Sequence, residues 1–254
     1  MTNRDILQTA LRQSAMDSNC RPEDFLSAEN KIVLSKKNPA ARKYLELPFL
    51  CDFTSYGSNI VASVSPEYRK IAQSYLEKNS VSQCFETPSL HALIENLRPM
   101  GANICFMAEY FLPNIEKIRP TACSYELRVL HKQELSPLYL PQWSNALCEK
   151  RKELDMLAVG AYDSGNLIGL AGASADCDTM WQIGIDVLPA YRKQGIACAL
   201  TSRLAAEILQ LGKVPFYCAA WSNLPSVRNA IAAGFKPAWV QMTVKSQQFI
   251  AGML

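Results

Sequence analysis

Val187-Leu-Pro-Ala-Tyr-Arg-Lys-Gln-Gly-Ile-Ala197 is the stretch whose reading decides the fold. An apolar segment, Met180-Trp-Gln-Ile-Gly-Ile-Asp-Val187, runs into it with the composition of a strand. Beyond it, Ala199, Leu200, Leu204, Ile208 and Leu211 recur on one face of a helix expected from about Gly195 to Leu211. The first amides of a helix have no partner within it, and the helix dipole favours negative charge there. Glycine at 195 and alanine at 197 leave room for an anion to reach those amides, and Arg192 and Lys193 add positive charge. A diphosphate suits such a site. A plain strand–loop–helix connection with a solvated basic pair would carry the same residues, so the neighbouring sequence has to decide.

That sequence is rhythmic on both sides. Residues 125–130 alternate as a strand, and 156–162 and 167–174 read as two strands joined by the hairpin turn Asp163-Ser-Gly-Asn. Between them, His131 to Lys152 is expected to be largely helical, split by Pro137 and Pro141. Gly184 interrupts an apolar strand, the mark of a bulge or of close backbone approach. After the 195–211 helix come a strand over 214–220, a helix over 224–233 and Gly234 as its C-cap, then a last strand near 239–245. Asn223 and Ser226 fall at the start of the second helix.

With these residues the chain resembles the GNAT family of N-acetyltransferases, in the form of a two-domain bacterial member. The family's phosphate-binding motif matches Arg192 to Ala197, with Val187, Pro189 and Tyr191 ahead of it. Its second signature matches Asn223, Ser226, Gly234 and Phe235. The resemblance covers about the last half of the chain. It implies an α/β fold for 121–254, with a GNAT-type mixed, splayed central sheet flanked by helices. It also implies acetyl-CoA as cosubstrate, no metal, and a primary amine as acceptor, attacking directly in a ternary complex. Gln194, Gly195, Ile196 and Ala197 would hold the pyrophosphate through their amides, beside Arg192 and Lys193. Val187 and Leu188 would pair with the pantetheine, and Asn223 and Ser226 would contact the cofactor's arm. The strands at 180–187 and 214–220 would splay to admit the thioester, and an amide near Val187 would stabilise the oxyanion.

One position departs from the family. Many members carry a tyrosine seven residues after the asparagine, where it protonates the departing thiolate; here that residue is Ala230. Either Tyr217 on the neighbouring strand or solvent performs the step, or the domain binds acetyl-CoA and turns over poorly. That last option gives a reading of another class: a catalytically weak acyl-CoA-binding module with an N-terminal partner-interaction domain.

For a general base the sequence offers Asp186, at the end of the strand before Val187, and Glu126, on the domain's first strand. Asp186 has an ordinary alternative as a salt bridge or turn cap. Asp176 and Asp178 flank Cys177 in a polar hairpin and read as solvated turn residues. Cys198, just inside the phosphate helix, is either a dipole-favoured thiolate or packing beneath the loop. Glu109 interrupts the apolar run FMAEYF and must be paired or functional, on a domain interface facing the acceptor for instance. Trp143, Trp181 and Trp221 are pocket-lining or core residues. Residues 52–59 read either as a functional loop or as a connector.

The first 120 residues open with helical patterning at Leu7, Ala10 and Leu11, followed by helices near 65–78 and 89–97 and strands near 59–64 and 103–111. They form a smaller α/β or α+β domain, for which a degenerate GNAT-like unit is one reading, with an acceptor-site or interaction role. The boundary is placed near Thr121, giving domains 1–120 and 121–254. Net charge is +3, split as 14 basic against 13 acidic residues up to Pro120 and 12 against 10 after it. There is no basic face for phosphate backbones, so nucleic acid is excluded as a partner. No apolar run approaches the roughly 20 residues of a membrane span, and the start lacks a signal-peptide core. The 9 cysteines include no C-x-x-C pair and sit in apolar surroundings, as free thiols do in a reducing compartment. A cytoplasmic enzyme acting on a small-molecule amine is expected, its oligomeric state unread.

Overall fold

The computed structural model describes residues 1–253, which form two compact units. One contains Met1–Thr9 and Tyr110–Pro237; the other contains Ala10–Glu109 and the residues from Ala238 onward. In chain order the elements are α1 (Asn3–Ser18), β1 (Lys31–Leu34), β2 (Cys51–Ser55), β3 (Val61–Val64), α2 (Arg69–Lys78), α3 (Thr87–Leu97) and β4 (Ala102–Pro113). There follow β5 (Glu126–His131), β6 (Asp155–Asp163), β7 (Asn166–Ser174), β8 (Met180–Val187), α4 (Ile196–Gln210), β9 (Val214–Ala220), α5 (Leu224–Ala232), β10 (Phe235–Ser246) and α6 (Gln247–Ala251). The chain changes units inside α1, β4 and β10 rather than at one linker. Strand β10 explains why: Phe235 packs in one core, while Met242 and Val244 pack in the other.

In the Tyr110–Pro237 unit the strands run in the order β9-β8-β7-β6-β5. Strands β5 to β8 are antiparallel neighbours, and β8 pairs parallel with β9. The β6–β7 turn places Ser164 (φ 48°) and Gly165 (φ 85°) in the left-handed region that a tight two-residue hairpin requires. Helix α4 buries Ala199, Leu200, Leu204, Ala205 and Ile208 against Leu157, Val159, Ala171, Ala173 and Ile183 of the sheet. Each fully buried leucine there contributes about 1.5–3 kcal/mol.

Residues 132–154 correct the sequence reading. They form no α-helix but four short 3-10 turns, at Lys132–Glu134, Ser136–Leu138, Pro141–Trp143 and Glu149–Leu154. Each proline starts a turn, and the backbone between is held by side chains of the sheet. Asp155 accepts from Cys148 N (3.0 Å) and the Tyr139 hydroxyl (3.1 Å). Trp143, Ala146 and Leu147 pack on Leu130, Ala158 and Leu170, covering the face opposite α4.

The other unit orders its strands β1-β3-β2-β10, with β1 and β3 parallel and the remaining pairs antiparallel. Helices α2 and α3 bury Ala72, Tyr75, Leu76, Leu93 and Leu97 in its core. Residues 52–55, weighed as a loop, are fully buried strand. Asp52 accepts from Gln241 Nε2 (3.0 Å), Thr243 Oγ1 (2.5 Å) and Thr54 Oγ1 (3.0 Å), and burial holds its carboxyl above the usual range. Arg42 and Asp17 form a 2.5 Å ion pair, both 2% exposed. Among the described residues no helix is long and apolar enough to cross a membrane.

Candidate active site

The site begins where β8 and β9 stop pairing. Their last paired positions are Gln182 and Phe216, yet β8 continues to Val187 and β9 to Ala220. The sheet is therefore splayed at this point. Which β8 groups face the opening follows from antiparallel alternation. Leu188 N donates to Ile168 O (2.9 Å), so residues 186, 184 and 182 direct their backbone groups to β7. Ile185 and Val187 direct theirs into the gap. The Val187 carbonyl there accepts from Arg192 Nε (3.0 Å), so the Val187 N–H and both groups of Ile185 are left facing the gap without a strand partner. Leu188 departs from its expected role: its amide serves Ile168, and its carbonyl accepts from Tyr191 N (2.9 Å).

From Val187 the chain leads through the 3-10 turn Pro189–Tyr191 into the N-terminus of α4. Lys193 (φ 62°) and Gly195 (φ 80°) alternate with Gln194 in a left-handed pattern that turns successive N–H groups to one side. The first helical bond runs from Ala199 N to Gly195 O (3.1 Å), leaving the amides of Ile196, Ala197 and Cys198 without partners in the helix. No acidic residue sits in that first turn, and a Cβ added at Gly195 would meet nothing within 4 Å. Arg192, Lys193, Gln194 and Gly195 are exposed, so an anion can reach this end. Tyr125 holds the loop through Gln194 Oε1 (2.8 Å), and Tyr191 holds it through Asp163 (3.0 Å). Cys198 is half-buried, packs at the edge of the core and meets the Thr121 hydroxyl at 3.7 Å.

Across the gap, Asn223 caps α5 by accepting from Ser226 N (3.3 Å). Tyr217 on β9 is 2% exposed and packs in the core beside Phe111 and Phe235. Asn229 of α5 donates to Thr201 of α4 (2.9 Å), tying the two helices together. Burial raises the Tyr217 phenol above its ordinary value, so it stays protonated. Ala230 is fully buried in the same core as Tyr217.

The face opposite α4 carries the remaining candidates. Trp181, Ile183, Ile185 and Val187 pack toward α4, so Gln182, Gly184 and Asp186 point the other way. Asp186 accepts three hydrogen bonds, from Asn145 N (2.9 Å), Asn145 Nδ2 (2.7 Å) and Ala146 N (2.9 Å). Glu126 is not brought to it. That residue is exposed on β5, with β6 and β7 between it and β8, and forms a two-point pair with Arg128 (2.7 Å each) that lowers its carboxyl's pKa. Asp176 corrects the expectation of a solvated turn: it is buried and paired with Arg151 at 2.5 Å, while Asp178 is exposed. Trp143 and Trp181 are core residues, Trp221 is 39% exposed just beyond β9, and Glu109 is half-buried on β4. Sequence reasoning missed Cys218, whose Sγ accepts from Gln182 Nε2 (3.1 Å) at the apex of the gap. Among the described residues no group of three or more His, Cys, Asp or Glu is placed to hold a metal.

A splayed β8–β9 pair thus leads into a helix end whose first amides have no partner in the helix. Residues 124–235 match the sequence model of the Acetyltransferase (GNAT) family, so this half of the chain carries a GNAT acetyltransferase domain. Several solved structures are similar to part of the chain. An acetyltransferase of the GNAT family from Colwellia psychrerythraea is 16% identical over 72% of this chain and 76% of its own, with a TM-score of 0.46. A GCN5-related N-acetyltransferase from Kribbella flavida is 14% identical over 63% of this chain and 64% of its own, with a TM-score of 0.42. The aminoglycoside N-acetyltransferase AAC(6')-Iy, solved with CoA, is 22% identical over 47% of this chain and 93% of its own, with a TM-score of 0.36. This chain thus spans just under two thirds of the Kribbella protein. No curated protein matches.

Proposed function

We propose that the protein is an N-acetyltransferase that moves the acetyl group of acetyl-CoA to a primary amine of a small molecule in a ternary complex. The observation that carries this reading is the gap at Ile185 and Val187, continuous along the chain with the open amides of α4. The pyrophosphate sits on the amides of Gln194 to Ala197 beside Arg192 and Lys193. Asn223 and Ser226 flank the pantetheine arm on the α5 side. The amine nitrogen attacks the thioester carbonyl carbon, the C–S bond breaks, and the Val187 N–H receives the developing oxyanion. Tyr217, kept protonated by burial, gives its proton to the departing thiolate. The amine's own proton leaves to water, and water returns a proton to Tyr217.

Ala230 favours a second reading, in which the domain binds acyl-CoA, turns it over poorly, and the N-terminal residues serve partner contact. Thiol release from acetyl-CoA, measured with a panel of small primary amines and amino acids, separates the two. Acceptor-dependent release supports the enzyme. Binding of acetyl-CoA without release from any acceptor supports the module, and no binding sinks both.

A further inference from the structure

The strand carboxylate that the sequence offers as a base is occupied by another task. A carboxylate has about four acceptor positions, and three on Asp186 receive Asn145 N, Asn145 Nδ2 and Ala146 N at 2.7 to 2.9 Å. Two of those donors are the backbone amides of Asn145 and Ala146, which take no backbone acceptor in the turn, whereas the Leu147 amide bonds to Trp143 O (2.9 Å). The sheet beneath is cut away to receive that segment. Gly184 and Gly172 are cross-strand partners, and a Cβ on either would lie 1.9 Å from Asn145 O or 2.0 Å from Ala146 O. Backbone therefore lies directly on backbone. Trp143, Ala146 and Leu147 around it are buried, whereas Asn145 itself is exposed next to the gap.

We propose that Asp186 is a positioning residue, which locks Asn145–Ala146 onto the glycine pair and makes residues 143–147 a fixed wall for the acceptor amine. This rests on the acyltransferase reading. The donor's phosphates belong to the α4 face, so a nucleophile reaches the thioester carbon from the opposite face, where Asp186 and Asn145 stand. A wall fixed at three points orients the amine before attack, a contribution that appears in acceptor binding rather than in proton transfer.

Two variants reach the wall from different sides: Asp186→Asn removes the charged acceptor, and Gly184→Ala pushes on Asn145 without touching the carboxylate. For both, the KM of the best acceptor rises at least tenfold, while acetyl-CoA affinity stays within twofold and the pH profile of kcat keeps its shape. Hydrogen exchange at the Asn145 and Ala146 amides accelerates in both. If Asp186→Asn instead abolishes kcat and removes the acidic limb of that profile, with KM unchanged, Asp186 is a base and the proposal is overturned. Unchanged exchange, or unchanged KM in both variants, also overturns it. Should the wild-type protein release no thiol with any amine, the acyltransferase reading fails and takes the acceptor role with it. The exchange data then report separately whether the lock exists.

Discussion

Replacing Gly184 with alanine gives the most direct test of how the acceptor-side segment is held. The new Cβ would stand 1.9 Å from the Asn145 carbonyl oxygen and 2.9 Å from its carbon, where ordinary contact starts at 3.4 Å. The segment must retreat by about 1.5 Å, which stretches the bonds to Asp186 from 2.7–2.9 Å to beyond hydrogen-bonding range. Asn145 is exposed and its two freed donors regain water at about 1 kcal/mol each, and the Ala146 amide, uncovered as the segment lifts off the sheet, counts for about 1 kcal/mol more. Local overpacking adds about 1–2 kcal/mol, for a total of about 4–5 kcal/mol. At roughly 2–4 °C per kcal/mol for a chain of this size, the thermal midpoint falls by about 10 °C. Gly172→Ala, 2.0 Å from Ala146 O, follows the same course. The control is Gly101→Ala, which meets nothing within 4 Å and suffers only its φ of 68°, a cost of about 1 kcal/mol. Scanning calorimetry reads all three. If Gly184→Ala costs no more than Gly101→Ala, the segment does not rest on the sheet as argued.

Tyr217→Phe is expected to lower kcat by about 10²-fold, with acetyl-CoA affinity unchanged by calorimetry. Because burial raises the Tyr217 phenol, the wild-type rate should hold as pH rises through the ordinary tyrosine value rather than fall there. Arg42→Met leaves the buried Asp17 without its counter-charge, though it still accepts from Gln13 Nε2 and the residue-42 amide, and should destabilise the protein by about 3 kcal/mol in urea unfolding, with Asp17→Leu in the same chain restoring most of it. Asp52 is held above the usual carboxylate range by burial, so the folded state keeps a proton that the unfolded chain has lost. Unfolding free energy therefore drops as pH rises through its folded value, and Asp52→Asn should flatten that part of the pH–stability profile.

Legibility followed the reach of each interaction along the chain. The helix that opens at Gly195 and the hairpin at Ser164-Gly165 are local devices, set by backbone freedom and apolar spacing within a few residues, and both could be read directly. Gly184 was legible as a position of close approach; what approaches it was not, since Asn145 lies 39 residues away in a segment whose apolar spacing suggests helix. The symmetry of Gly172 and Gly184 about the hairpin at Asp178 would have paired them, and was the signal available. Asp186 and Glu126 looked alike as strand carboxylates. Only tertiary structure separates one that accepts two backbone amides from one that pairs with Arg128 at the surface. Leu188 looked equivalent to Val187 because sequence does not give the alternation that turns one amide to β7 and the next into the gap. The buried fate of Asp176 depended on Arg151, 25 residues earlier. Strand β10 serves two cores without a break in its pattern, so no composition change marked the passage.

The account stands on the claim that the α4 end and the gap beside Val187 hold acetyl-CoA. Isothermal titration of acetyl-CoA into the full chain tests it most directly, beside Gly195→Glu, which sets a carboxylate among the open amides in space the fold leaves free. The account predicts one-to-one binding by the wild-type protein, weakened at least a hundredfold in the variant while the thermal midpoint of the free protein moves by only a few degrees. No binding by the wild type, or equal binding by both, would contradict it.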